Sequence, residues 1–430
     1  MVTTLGEISR ESAKRFGDKT ALIIEDKSFS YKEIDTMACR VANGLKASGV
    51  RPGDRVTLYS ANCWEWAVSY HAIAKIGAVI NPINVMLTSD EVKYVVEDSG
   101  TTAVLGSADK AESLLDLKGN NELKEVVLFG DTVPTGATSF EEWLKSGTDT
   151  FEVAHRNRED LAAICYTSGT TGHPKGAMHS HHNILANAQG TAMMHVRTES
   201  DVMVNSLPLP HVYGSVVFNS GFMYGAKLVI VPRFEEEAVM SAIQQHRATI
   251  LDGVPTAYYF LLAHPKFDDY DLSTLTRSTV GGQTLPAAKS IEWEERVGTA
   301  VLELWGMTEL AGAATANPYY GDNKPGTIGL VYPGSEGKIV SAEDPTLDLE
   351  IGDEGEFMFR GPLVMLGYYG NDEATRDAMA AGGWMHTGDI ATQDEDGYFT
   401  IVDRKKDMIL TAGYNVYPAE LERVICGHPS

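Results

Sequence analysis

The segment YTSGTTGHPKG, Tyr166 to Gly176, packs four Thr or Ser hydroxyls, three glycines and one lysine into eleven residues. Hydroxyls and open backbone amides donate hydrogen bonds, and an ammonium adds a point charge. Together they suit an anion with many oxygens, such as a polyphosphate. The spacing excludes two familiar loops. A P-loop requires GxxxxGK followed by Ser or Thr, so that the hydroxyl reaches magnesium, whereas Lys175 follows Pro174 and precedes Gly176. A dinucleotide fingerprint requires G-x-G-x-x-G between a strand and a helix, and none occurs here.

Such a loop needs a rigid frame. Short apolar runs recur along the chain as TALIIED, RVTLYSAN, AVINPIN, TAVLGS, EVVLFG and KLVIVPRF. Between them lie stretches with helical apolar spacing, among them YKEIDTMACRVANGLKASG, which stops on Gly49. Strands alternating with helices predict βαβ units, parallel sheet and an α/β fold. The stretch from Gly334 to Arg360 is different, with closely spaced strands and Gly-Asp turns that predict antiparallel sheet or barrel. Near the end, a turn at Asp396-Gly397 and a strand precede a charged break at Asp403 to Asp407. So little chain follows Asp403 that the sequence reads as stopping inside a domain.

The bulk composition narrows the partners. The 430 residues carry 35 Lys and Arg against 59 Asp and Glu, a net charge of -24. An acidic surface of that size disfavours nucleic acid and anionic lipid, so an anionic substrate must find local positive charge. Cys39, Cys63, Cys165 and Cys426 are scattered, which fits a reducing cytoplasm. The N-terminus has no apolar run of the secretory kind. The most apolar stretch, SVVFNSGFMYGAKLVIVP, is broken by Asn219, glycines and Lys227, and reads as core rather than stable membrane insertion. A homodimer is left open.

YTSGTTGHPKG resembles the signature loop of the adenylate-forming enzymes: acyl-CoA synthetases, peptide-synthetase adenylation domains and beetle luciferases. Further motifs of that family follow in order: PLPHVYG from Pro208, GGQTLP from Gly281, LWGMTEL from Leu304, HTGD from His386, VDRKKD from Val402 and AGYNVYPAELE from Ala412. The likeness runs from Thr20 onward. It implies a large N-terminal AMP-binding domain over 1–402, built of two βα-layered subdomains and a small β-barrel. Residues 403–430 would be a hinge and the start of a small C-terminal domain. The family's adenylation lysine would lie beyond this sequence, so the resemblance further implies that the chain by itself is poorly active.

The implied chemistry is activation of a carboxylate by ATP, giving acyl-AMP and pyrophosphate. Joining two anions demands charge neutralisation and alignment of the nucleophile. By resemblance, Thr167, Ser168, Gly169, Thr170, Thr171 and Lys175 cradle the terminal phosphates. Thr308 would touch the α-phosphate and Glu309 would hold Mg2+, a hard cation that prefers oxygen ligands. Trp305, where a tyrosine is more usual, would stack on adenine beside Gly306, with Gly281, Gly282 and Gln283 bounding the base. Asp389 and Arg404 would reach the ribose. His211 resembles the gate between acyl pocket and thiol tunnel. The histidines of HSHHN invite a metal reading, but no cysteine or carboxylate accompanies them, and the family places one histidine, matching His181, behind the loop.

Amino-acid-activating relatives carry an acid in the helix after the PLPH-type motif. Here HVYGSVVFNSGFMYG has none. Val212, Tyr213, Val216, Phe218, Asn219 and Phe222 are then candidates for a neutral pocket wall that takes a fatty or aromatic monocarboxylic acid. Asp403 would be the hinge and Gly413 part of a loop facing the pantetheine tunnel. The reading is an acid:CoA ligase using ATP, Mg2+ and CoA. The alternatives are an adenylation domain that loads a carrier protein, and a nucleotide-binding module with impaired catalysis.

Overall fold

The computed structural model describes residues 2–118, 122–130, 132–167 and 173–405, with the backbone of two further strands, Ile409–Thr411 and Tyr414–Val416. Each apolar run named above forms a strand: Thr20–Ile24, Arg55–Tyr59, Val79–Pro82, Thr101–Ser107, Glu125–Phe129 and Lys227–Ile230. The expected helix spans Tyr31–Ala47. It starts on a reciprocal cap in which Ser30 accepts from the Glu33 amide while Glu33 accepts from the Ser30 amide at 2.7 Å, a device worth about 1 kcal/mol. Just past its end Gly49 takes a φ of 88°, a left-handed value that glycine adopts without strain.

Among the described residues these elements build two large sheets. The eight-stranded sheet runs Gly367–Tyr368, Lys175–Ser180, Leu161–Thr167, Val79–Pro82, Arg55–Tyr59, Thr101–Ser107, Glu125–Phe129 and Thr138–Ser139. Its centre is parallel, and the strand pair around the glycine-rich loop is antiparallel. The nine-stranded sheet runs from Leu330–Val331 through Gly312–Ala316, Val301–Met307, Arg277–Val280, Ile250–Gly253, Val202–Asn205 and Lys227–Ile230 to Thr20–Ile24 and Lys27–Ser30.

Alternate residues of these strands enter different cores. Leu228 and Ile230 join the central core while Val229 faces a second one, and Ile250 and Leu251 divide the same way. In the other sheet Leu105 and Val127 face the centre, while Val104, Val126 and Leu128 face a third core. A strand whose side chains alternate in direction, covered on both faces, must be apolar at every position. That is why these strands appear as unbroken runs. Helices Trp64–Lys75, His181–Met194 and Val212–Tyr224 contribute to the central core between the sheets.

The region expected to be antiparallel forms a five-stranded antiparallel sheet of Glu336–Val340, Gly355–Arg360, Trp384–Gln393, Met379–Ala380 and Phe399–Arg404. The expected domain boundary at 402/403 falls within its last strand. The long apolar stretch becomes the buried helix Val212–Tyr224 followed by strand Lys227–Ile230. Among the described residues no helix is long and apolar enough to cross a membrane.

Candidate active site

Strands of both large sheets end on one cleft of ≈ 2870 Å³. Its walls come from the segments that follow Tyr59, Pro82, Asn205, Ile230, Gly253, Val280 and Met307, each the last residue of a strand. Loops at the carboxyl ends of strands are where α/β sheets bind ligands. Pockets for one small molecule measure about 300–1,000 Å³, so this cleft has room for more than one.

Lys175 opens the strand Lys175–Ser180 and pairs in register with Thr167, and both line the cleft. Ser168, Gly169, Thr170 and Thr171 lie outside the described residues, as does Gly413. Thr308 and Glu309 begin a short turn at the end of Val301–Met307, and both face the cleft. The turn is fixed from three sides. His179 donates from Nε2 to the Thr308 carbonyl at 2.7 Å. Asn187 donates to the carbonyls of Leu310 at 2.9 Å and Ala313 at 2.8 Å. The Met365 amide reaches the Glu309 carbonyl at 2.9 Å. Burial pushes His179 down to about 4, so its ring is neutral and the donating nitrogen keeps its proton.

Trp305 and Asp389 also line the cleft, where the indole Nε1 donates to Asp389 Oδ2 at 2.8 Å. Arg404, mostly exposed, brings Nε to 4.0 Å from Asp389 Oδ1. Burial raises the Asp389 pKa, the indole bond and Arg404 pull it back, and the nearby charges of Glu309 and Asp403 add to the rise. Gly306 lies so close to the next strand that a Cβ would sit 1.9 Å from the Gly312 carbonyl oxygen, so only glycine lets the backbone pass. Gly282 and Gln283 line the cleft. Gly281 does not: it is buried, and a Cβ there would meet Leu304 at 2.4 Å, so it bounds the site by packing.

His211 caps helix Val212–Tyr224, its Nδ1 accepting from the Tyr213 amide at 3.2 Å. Its ring opens to the cleft, yet the surrounding protein desolvates it and lowers its pKa. Val212 and Tyr213 line the cleft. The other helix positions are corrected by the structure. Phe218 and Phe222 are fully buried against His71, with ring centroids 5.2 and 4.7 Å away, and face the inter-sheet core. Asn219 bonds Tyr70 at 2.9 Å. Val216, 1% exposed, lies behind the Gly312 backbone.

The three histidines of HSHHN have separate partners: His179 the Thr308 carbonyl, His181 the Leu5 amide at 3.2 Å, and His182 the Glu159 carboxylate at 3.1 Å. Among the described residues no group of three or more His, Cys, Asp or Glu could hold a metal ion. Glu309 lines the cleft outside any such group. It fits a magnesium ion that takes most of its ligands from phosphate and water, the usual manner of that cation.

One wall residue had no motif to reveal it. Glu303 is 4% exposed, lines the cleft and has its Oε1 unpartnered. Burial pushes its pKa up to about 8, against the amides of Leu285 and Gly326. A buried, protonated carboxyl can both donate and accept. Its one sequence signal is a glutamate inside an otherwise apolar strand, VLELWGM.

Residues 9–369 match the family described as AMP-binding enzyme. A long-chain-fatty-acid–CoA ligase of Bacillus subtilis (strain 168) is 32% identical over 454 residues, which cover 99% of this chain and 81% of that protein. A feruloyl-CoA synthase of an Amycolatopsis species is 33% identical over 438 residues, with coverage of 99% and 83%. Among solved structures, the anthranilate CoA ligase AuaEII in complex with anthranoyl-AMP superposes with a TM-score of 0.93 at 30% identity, covering 99% of this chain and 82% of that one. ATP-bound MatB from Rhodopseudomonas palustris gives 0.92 at 32% identity, covering 100% and 84%. With this match spanning the loop, the turn and most of both large sheets, the chain belongs to the AMP-binding enzyme family.

Proposed function

We propose that this chain carries the nucleotide and acyl sites of an acid:CoA ligase that converts a fatty or aromatic monocarboxylic acid to acyl-AMP and pyrophosphate, then passes the acyl group to CoA. The observation that carries the reading is the convergence of Lys175, Thr308, Glu309, Trp305, Asp389 and Arg404 on one cleft that also holds His211 and Tyr213. In this reading Lys175 and the hydroxyl-rich loop take the terminal phosphates of ATP. Thr308, held by its carbonyl, presents its side chain to the α-phosphate. Trp305 offers a ring to adenine, and Asp389 and Arg404 take the ribose. Magnesium, when bound, would neutralise phosphate charge, with Glu309 as its protein ligand. The carboxylate then enters past His211, aligned with the bond to be broken, where proximity lowers the barrier.

A neutral acyl wall supports a monocarboxylate. Asp252, an acid behind that wall, is fully buried and paired to Arg197 at 2.5 Å, so it offers no free charge to an ammonium group. The names of the relatives support CoA as acceptor, and the scattered free cysteines Cys39, Cys63 and Cys165 suit a cytoplasmic setting.

The test is acid-dependent pyrophosphate release from ATP across a panel of fatty and aromatic acids, followed by thioester formation with free CoA. Release with an acid and thioester with CoA alone would support the ligase. Adenylation that needs a carrier protein would favour the carrier-loading alternative, and no acid-dependent release together with no ATP binding would overturn the reading.

A further inference from the structure

Tyr368 sits on the short strand Gly367–Tyr368, which pairs with Lys175–Ser180 in the register Gly367↔Met178 and Tyr368↔Ala177. The flanking backbone is pinned from both sides: the Met365 amide bonds the Glu309 carbonyl at 2.9 Å and the Tyr369 amide bonds the Gly176 carbonyl at 2.8 Å. The side chain touches the same two segments. Its hydroxyl donates to Glu309 Oε1 at 2.6 Å, and Lys175 Nζ lies 5.4 Å from the ring centroid. Lys175 and Glu309 are thus held by one phenol, and among the described residues they form no ion pair with each other or with any other charged group.

We propose that Tyr368 is a positioning residue that keeps the carboxylate of Glu309 and the ammonium of Lys175 apart, leaving the first for a divalent cation and the second for a phosphate chain. The assignment rests on reading the cleft as an ATP site. Two opposite charges on adjacent segments of a half-buried site would otherwise pair, and an incoming nucleotide would have to break that pair. The phenol satisfies both without joining them. Its O–H gives Glu309 a short charge-assisted bond on one oxygen, and its ring face attracts the lysine through the aromatic quadrupole. The tether also orients the carboxylate, since Tyr368 is held by strand pairing to the base of the phosphate loop.

Calorimetry of ATP binding to the full chain, with Mg2+ and separately with EDTA, tests this with the variants Tyr368→Phe and Tyr368→Leu. The Phe variant keeps the ring and loses the hydroxyl. Its affinity with Mg2+ is expected to fall about tenfold, the worth of one hydrogen bond to a charged group, while its affinity in EDTA is unchanged. The Leu variant frees both charges to pair and is expected to lose affinity under both conditions, with the melting temperature of each variant followed alongside. A residue that merely stabilises the fold would weaken the two conditions equally. If the unaltered chain binds ATP and Tyr368→Phe keeps the full Mg2+ dependence, the assignment is wrong. If the unaltered chain binds no ATP, the functional reading fails and the assignment falls with it.

Discussion

Trp305 Nε1 donates to Asp389 Oδ2 at 2.8 Å, so the ring expected to meet adenine is tied to the carboxylate expected to meet ribose. Asp389→Ala removes the tether and the ribose acceptor together. Two hydrogen bonds to a charged acceptor, at about 1.5–3 kcal/mol each, imply a loss of ATP affinity of at least about a hundredfold. Calorimetry that finds unchanged affinity in this variant would take Asp389 out of the site.

Glu303 makes stability fall with rising pH. Its folded pKa, raised from 4.5 to about 8, lets the folded chain keep a proton that the unfolded chain has lost over that interval. Folding is then progressively disfavoured from about pH 4.5 up to about 8, by about 1.4 kcal/mol per pH unit and by up to about 5 kcal/mol in all. Melting temperatures taken from pH 6 to 9 are expected to decline, and Glu303→Gln is expected to flatten the decline. An unchanged slope in the variant would mean that Glu303 is ionised in the folded chain.

On the acid side the histidines act in the opposite sense. Burial pushes His71 down to about 3 and both His179 and His181 down to about 4. An unfolded histidine takes its proton near pH 6.5, so stability is fully present above that value and is lost as pH falls toward about 4. Denaturation midpoints are expected to drop steeply between about pH 6.5 and 4. His179→Leu should shallow that drop, at a cost of about 1–3 kcal/mol at neutral pH because the Thr308 carbonyl loses its donor. A midpoint that stays level through this range would contradict a neutral buried His179.

The acyl wall sets the fourth expectation. Val212 and Tyr213 offer no charge, and Asp252 is already paired with Arg197. A free amino acid would desolvate its ammonium without a partner, a cost of several kcal/mol. Phenylpropanoate or octanoate is therefore expected to support far faster pyrophosphate release than phenylalanine. A preference for phenylalanine would overturn this account of the wall.

The strands and the convergence of motifs were legible because both leave local marks. Unbroken apolar runs such as KLVIV announce sheet covered on both faces, and TSGTTGHPKG and GMTE hold their chemistry within a few residues. What stayed hidden depends on how distant segments meet. Helix Val212–Tyr224 is apolar on every side, so its sequence gives no clue to which face looks into the cleft; Phe218 and Phe222, one turn apart, point together toward His71 instead. His179 was visible only as one of three histidines, and its bond to Thr308 spans 129 positions. Tyr368 and Glu309 are separated by 59 positions and carry no shared motif.

The ladder between Trp384–Gln393 and Phe399–Arg404 places Asp389 opposite Arg404 and Ile390 opposite Asp403. The carboxylate proposed to take the ribose and the expected pivot are therefore neighbouring rungs. A rotation of the chain about Asp403 would open this ladder at the rung that holds Asp389. If Asp403 is the pivot and Asp389 and Arg404 grip the nucleotide, as proposed, occupancy of the site and the pivot angle would be coupled through these two rungs.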